Sequence, residues 1–191
     1  MILYLHGFTS GPQSRKAQLL GERAAARGVG FACPQLPHSP GAAIDLAESI
    51  VVEKVGAGDT VALVGSSLGG CYATHLAEKH RLRAVLVNPV VVAHLALEKF
   101  VGPQQNLYSG ERFEFTRDHI AKLRELDVPR LSRPENFWLL VETGDEVLDY
   151  RQAVSRYAGA RQTVLAGGDH SFTRWPDVLD PILEFTNERP V

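Results

Sequence analysis

Three side chains far apart in a chain of 191 residues, Ser67, Asp145 and His170, have the types needed to attack an acyl carbon. A serine hydroxyl is a poor nucleophile at neutral pH. It needs a base within hydrogen-bond reach and a third group to orient that base. Ser67 is the centre of Gly65-Ser66-Ser67-Leu68-Gly69, a Gly-x-Ser-x-Gly pattern that makes Ser67, not Ser66, the candidate nucleophile. The competing reading of the same residues is a Gly/Ser-rich turn after a strand, or a glycine loop whose amides face an anion. Asp145 lies in Glu142-Thr143-Gly144-Asp145-Glu146-Val147-Leu148-Asp149. Its carboxylate neighbours have other expected uses: Asp149 as a helix N-cap and Glu146 as a solvated residue. His170 follows the Gly167-Gly168 turn, which lets its loop bend back. The remaining histidines after His6, namely His38, His75, His80, His94 and His119, have no comparable placement and are expected to be structural or solvent-facing.

These residues can meet only if elements of the right kind bring them to one edge. Thr60 to Val64 is a short apolar run rich in β-branched residues, which suits a buried strand, and Cys71 to Lys79 has helical spacing. Ser67 therefore falls at a sharp strand-to-helix turn, where flanking positions need glycine and the hydroxyl faces the positive end of the helix. Further short strands are expected at 2–5, 29–33, 82–87, 136–142 and 162–165, and helices at 14–27, 42–55, 149–157 and 175–188, with Ser14 a plausible cap for the first. This alternation predicts an α/β fold with a parallel sheet of about six strands covered by helices on both faces. In such sheets functional groups gather beyond the carboxyl ends of the strands. Asp145 and His170 both occupy strand exits. So does His6-Gly7-Phe8, after the first strand. Acyl transfer needs two donors aimed at the oxygen that becomes negative, and the amides of Phe8 and Leu68 are assigned to that task. His6 and Gly7 are placed beside the substrate, with His6 orienting the loop rather than moving protons.

Between Val90 and Pro134 the pattern loosens, with Pro103, Gly110, Pro129 and Pro134, aromatic patches around Tyr108 and Phe113-Phe115, and a helix expected near 117–126. This segment is read as a small helical cap inserted in one domain spanning residues 1–191, or equally as plain connecting helices.

A hydrophobic fraction of 45% and a charged fraction of 22% are ordinary for a globular chain. A net charge of −2 without a dense Lys/Arg stripe disfavours nucleic acid and anionic membranes as partners. Cys33 and Cys71 make neither a metal-type spacing nor a disulfide framework. No basic leader with a cleavage site precedes the first strand, and no run of about 18 apolar residues is present to span a bilayer. A cytoplasmic protein with two reduced thiols is the expectation.

With His6-Gly7-Phe8, Gly65-Ser66-Ser67-Leu68-Gly69, Gly144-Asp145-Glu146-Val147-Leu148-Asp149-Tyr150 and Gly168-Asp169-His170-Ser171-Phe172 in view, the chain resembles the α/β-hydrolase superfamily. More closely it resembles the small bacterial YqiA-type esterases. The likeness covers nearly the whole chain, and the order Ser67, Asp145, His170 is the superfamily's order. It implies Ser67 as nucleophile, His170 as general base and acid, and Asp145 as the orienting carboxylate. Compared with a full-sized member, the two antiparallel edge strands usual upstream are expected to be missing. The expected activity is hydrolysis of small-molecule carboxylic esters or acyl-thioesters, including acyl-CoA, of short to medium acyl length. No metal or organic cofactor is needed. Two alternatives stay open: the same triad acting on amide or lactone substrates, and a catalytically silent relative that binds a small ligand. A nucleotide site at Gly65 to Gly70 is weaker, since both a P-loop lysine and dinucleotide glycine spacing are missing.

Overall fold

Short continuous apolar runs separated by helical stretches dictate the arrangement seen in the computed structural model, which describes residues 1–191. The main sheet has six strands, β1 (Ile2–Leu5), β2 (Phe31–Ala32), β3 (Ala62–Ser66), β4 (Arg83–Val87), β7 (Phe137–Glu142) and β8 (Arg161–Leu165). Their order is β2-β1-β3-β4-β7-β8, and every pairing is parallel. Parallel neighbours require crossovers, which are supplied by α1 (Arg15–Ala26), α2 (Pro40–Gly56), α3 (Leu68–His80) and α6 (Tyr150–Arg156), with α7 (Trp175–Asn187) closing the chain.

Successive side chains of a strand point to opposite faces, so each strand feeds two cores. Leu3, Leu5, Leu63, Leu86, Leu139 and Val141 pack under α2, α3 and α6. Ile2, Tyr4, Val64, Val85, Val87, Trp138 and Leu140 pack under α1 and α7. Because both faces are covered, the strands read as continuous apolar runs. Burying one such leucine or valine contributes about 1.5–3 kcal/mol. Register aligns the strand ends: Leu5 pairs with Gly65, Ser66 with Val87, Val87 with Leu140, and Glu142 with Leu165. The loops that follow therefore open at one edge. The chain first moves outward from β1 to β2, then returns to lay β3 on the other side of β1. That reversal creates a crevice between the β1 and β3 exits.

The segment joining β4 to β7 carries α4 (Ala93–Ala96), an antiparallel hairpin of β5 (Gly102–Gln105) and β6 (Arg112–Phe115), and α5 (Arg117–Glu125). Here the expectation of a purely helical insertion needs correction. Gly102-Pro103-Gln104-Gln105 lacks apolar alternation, so nothing local marks it as a strand. The hairpin is held from outside, by Phe113 and Phe115 packed on the ring of Phe8, with centroids 5.9 and 4.9 Å away. Ser14 stands at the N-cap of α1 but makes no side-chain capping bond. Both cysteines are unpaired. No helix is long and apolar enough to cross a membrane.

Candidate active site

Ser67 sits between β3 and α3 with φ 55° and ψ −121°, backbone values that an L-residue holds only when its surroundings enforce them. The enforcement is visible. Ser67 N–H donates to the Val87 carbonyl at 3.0 Å, while its own carbonyl accepts from Val90 N–H at 3.0 Å and Gly70 N–H at 2.9 Å. The chain on each side passes too close for side chains. A Cβ on Gly65 would lie 2.3 Å from the Gly69 carbonyl oxygen, and one on Gly69 would lie 1.9 Å from that of Leu5. Ser66, the last residue of β3, is buried.

The structure brings His170 and Asp145 to this serine. His170 Nε2 is 3.1 Å from Ser67 Oγ, and His170 Nδ1 is 2.8 Å from Asp145 Oδ2. The carboxylate is fixed in turn, because its Oδ1 accepts the amides of Val147 and Leu148, each at 2.9 Å. Asp145 has a side chain only 2% exposed, and burial alone would raise its pKa. The hydrogen bond from His170 and the two amides outweigh that and hold it below the usual carboxylate range. With the proton on Nδ1 facing Asp145, Nε2 is free to accept the Ser67 hydroxyl. The His170 side chain is 23% exposed, enough for a substrate to reach it.

Three further residues hold the histidine loop, and sequence patterning did not single them out for this. Glu142, the fully buried last residue of β7, accepts the amides of Asp169, Thr173 and Arg174 at 2.9, 2.9 and 3.2 Å, and the Thr173 hydroxyl at 3.1 Å. Burial would raise its pKa, but these amides and the hydroxyl keep it low. Gly168 passes directly over this carboxylate: a Cβ there would lie 1.9 Å from Glu142 Oε2. Asn88, buried at the end of β4, donates from Nδ2 to the carbonyls of Asp169 and His170 at 3.1 and 3.2 Å and accepts Glu142 N–H at 3.1 Å. Glu146 is exposed, as expected for a solvated residue, yet it also accepts His170 N–H at 3.0 Å. A carboxylate ending an apolar strand was the available signal for Glu142. Asn88-Pro89 offered only a strand stop. Asp149 caps α6 by accepting Arg151 N–H at 3.0 Å, as its position suggested.

His6 is buried, and both ring nitrogens are engaged. Nε2 accepts Leu36 N–H at 3.0 Å, which places the proton on Nδ1, 3.0 Å from the Gly7 carbonyl. Burial lowers its pKa, so the ring is neutral and ties the Gly7-Phe8 turn to the loop after β2. A Cβ on Gly7 would press on Ser67 Cβ at 3.1 Å. The amides of Phe8 and Leu68 have no backbone acceptor, and both residues line, with Ser67 and His170, a cavity of about 490 Å³. Its other walls are mostly apolar and include Val90, Val91, Leu95, Leu97 and Phe100. His6 faces a smaller neighbouring cavity with His38 and Phe113, whose rings stack at 4.5 Å. No group of three or more His, Cys, Asp or Glu side chains is placed to hold a metal ion.

A sequence model of the uncharacterised protein family UPF0227 matches residues 1–187. Among solved structures, Est1E from Butyrivibrio proteoclasticus is similar over 96% of this chain and 85% of its own, with a TM-score of 0.71 and 14% identity. Monoacylglycerol lipase from Paleococcus ferrophilus matches over 97% and 93%, with a TM-score of 0.69 and 17% identity. Mouse alpha/beta hydrolase domain-containing protein 10 matches over 96% and 89%, with a TM-score of 0.66 and 17% identity. Together with the six-stranded parallel sheet, these likenesses identify the fold as that of the α/β hydrolases.

Proposed function

This chain belongs to the uncharacterised protein family UPF0227, and we propose that it is a serine hydrolase that cleaves carboxylic esters or acyl-thioesters of short to medium acyl length. One observation carries the reading: the unbroken line of contacts from Ser67 Oγ through His170 to Asp145, at 3.1 and 2.8 Å, on a strained turn beside an open cavity. The neighbours named above include a lipase, and a further solved structure has ferulic acid bound to Est1E, a carboxylic acid of the kind ester cleavage releases, which supports an ester substrate.

The substrate carbonyl rests over Ser67 with its oxygen toward the amides of Phe8 and Leu68, and its acyl chain lies in the apolar cavity. Ser67 Oγ attacks as its proton passes to His170 Nε2, and Asp145 stabilises the imidazolium that forms. The two amides hold the negative oxygen, where donors fixed in advance give most of their benefit. The alcohol or thiol leaves with the proton from Nε2. Water then attacks the acyl carbon as His170 Nε2 takes its proton, the bond to Ser67 Oγ breaks as Oγ receives that proton, and the acid is released. Asp145 acts by holding the ring. Glu142 and Asn88 act one step further out, by positioning the loop from which the ring projects.

The test is peptide mass spectrometry after treatment with a fluorophosphonate, joined to turnover of matched ester, thioester and amide substrates. A single adduct on Ser67, lost in His170→Ala, with ester or thioester turnover abolished in Ser67→Ala, is expected. Full activity in Ser67→Ala would overturn the assignment. An unlabelled, well-folded protein without turnover would favour a silent ligand-binding relative, and amide turnover exceeding that of esters would move the activity to peptide-type bonds.

A further inference from the structure

Ser67 also lines a second cavity, of about 530 Å³. The two share Phe8, Ser67 and His170, so a carbonyl seated on Ser67 divides its substrate between them. Both are lined in part by apolar side chains, but they differ in their charged groups. The second carries Arg15 and Lys16, with hydroxyls from Ser10 and Tyr108, and no carboxylate, although the chain as a whole has a net charge of −2. Leu107, Phe172 and Trp175 give this wall apolar surface as well, but its charge is all of one sign. It suits an anion.

Arg15 is exposed and takes part in none of the molecule's ion pairs. Lys16 donates to the Ser171 carbonyl at 2.8 Å, which occupies one of its three ammonium hydrogens. Burial pushes the Lys16 pKa down, and the charges of Asp169, Asp145 and Glu142 offset that only in part. Ser14, only 8% exposed, lies in the same wall, and its Oγ has no hydrogen-bond partner in the protein. The twelve-residue helix α1 begins here, adding the positive end of its dipole. Two cations together with hydroxyl donors match a phosphate monoester, with its charge near −2 and three acceptor oxygens, better than a single carboxylate.

Resting on the hydrolase reading above, we propose that this cavity receives the leaving group and selects an alcohol bearing a phosphate close to the scissile ester oxygen, held by Arg15 and Lys16. In the reaction the bond between acyl carbon and alcohol oxygen breaks, and that oxygen takes the proton from His170 Nε2. The phosphorylated alcohol departs, while the acyl group stays on Ser67 Oγ until water releases it.

The experiment compares kcat/KM for 1-butyrylglycerol 3-phosphate and uncharged 1-butyrylglycerol with the purified full chain. The wild type should prefer the phosphorylated ester on the order of tenfold at low salt, and the preference should shrink as salt is raised. Arg15→Lys should keep most of it, Lys16→Gln should weaken it, and Arg15→Glu should invert it. A ratio near one in the wild type, or an unchanged ratio in Arg15→Glu, overturns the proposal while leaving Ser67-dependent hydrolysis intact. If neither ester is cleaved and Ser67 takes up no fluorophosphonate, the hydrolase reading itself fails and this inference falls with it.

Discussion

At the scale of single residues, two buried carboxylates carry different tasks, and their replacements should separate them. Asp145 contacts the His170 ring, so Asp145→Asn keeps the shape of the site but removes the acceptor that fixes Nδ1–H. Turnover should fall by roughly four orders of magnitude, with near-unchanged unfolding; a fall of only a few-fold in kcat would mean the carboxylate does not orient the base. Glu142 contacts no reacting atom and instead gathers three amides and a hydroxyl. Glu142→Gln turns an acceptor-only group into one that brings its own N–H donors against those amides, at a cost of about 2–3 kcal/mol in stability. The pH dependence follows from the direction of its shift. A carboxyl whose folded pKa lies below its unfolded value stabilises the fold fully above that unfolded value, about 4.3, and the stabilisation is lost as pH falls through the folded one. Resistance of the wild type to thermal unfolding should therefore fall steeply below about pH 4.3, and Glu142→Gln should flatten that limb. Parallel curves for the two proteins would show that Glu142 is not ionised in the fold.

At the scale of elements, the hairpin of β5 and β6 does more than cover the sheet edge. Asn106 Nδ2 donates to the Ser10 carbonyl at 2.7 Å, and Leu107 N–H donates to the Thr9 carbonyl at 2.8 Å, so the hairpin tip is fastened to the turn that presents the Phe8 amide. Asn106 Oδ1 also accepts the amides of Tyr108 and Ser109, each at 2.9 Å, which shapes the tip itself. Asn106→Ala removes all three bonds, should lower stability by about 1–3 kcal/mol, and should reduce kcat several-fold while KM for the acyl group changes little. Limited proteolysis between residues 107 and 110 reads the loosening directly. A tip that becomes cleavable with kcat intact would mean the Phe8 amide is held without the hairpin. The hairpin is also where patterning along the chain failed, for a physical reason. Its strand with Pro103, Gln104 and Gln105 has no buried face of its own and owes its pairing to aromatic residues docked on Phe8, a contact distant in sequence.

At the scale of the whole molecule, order should fall away from the sheet centre. Strands β1, β3, β4 and β7 are buried throughout, while β8 is half-exposed at one edge and the hairpin lies outside the sheet. Hydrogen exchange should be slowest in those four strands and markedly faster across residues 102–115, with the hairpin slowed once a fluorophosphonate occupies Ser67 and the adjoining cavity. Hairpin amides as protected as those of β3 would count against a separable covering segment. Much of this architecture was legible in the sequence, because a covered parallel strand must be an apolar run and its crossover must be a helix. Those local rules were enough to place Ser67, Asp145, His170 and the Phe8 turn at strand exits. Local rules carry no distances, however. Only the register of β1, β3, β4 and β7 decided that the exits share one edge, and only the packed loops decided that Glu142 and Asn88 anchor His170 while Arg15 and Lys16 line a second approach to Ser67. Those roles come from partners dozens of residues away, and chain periodicity records a side chain's face but not its neighbours.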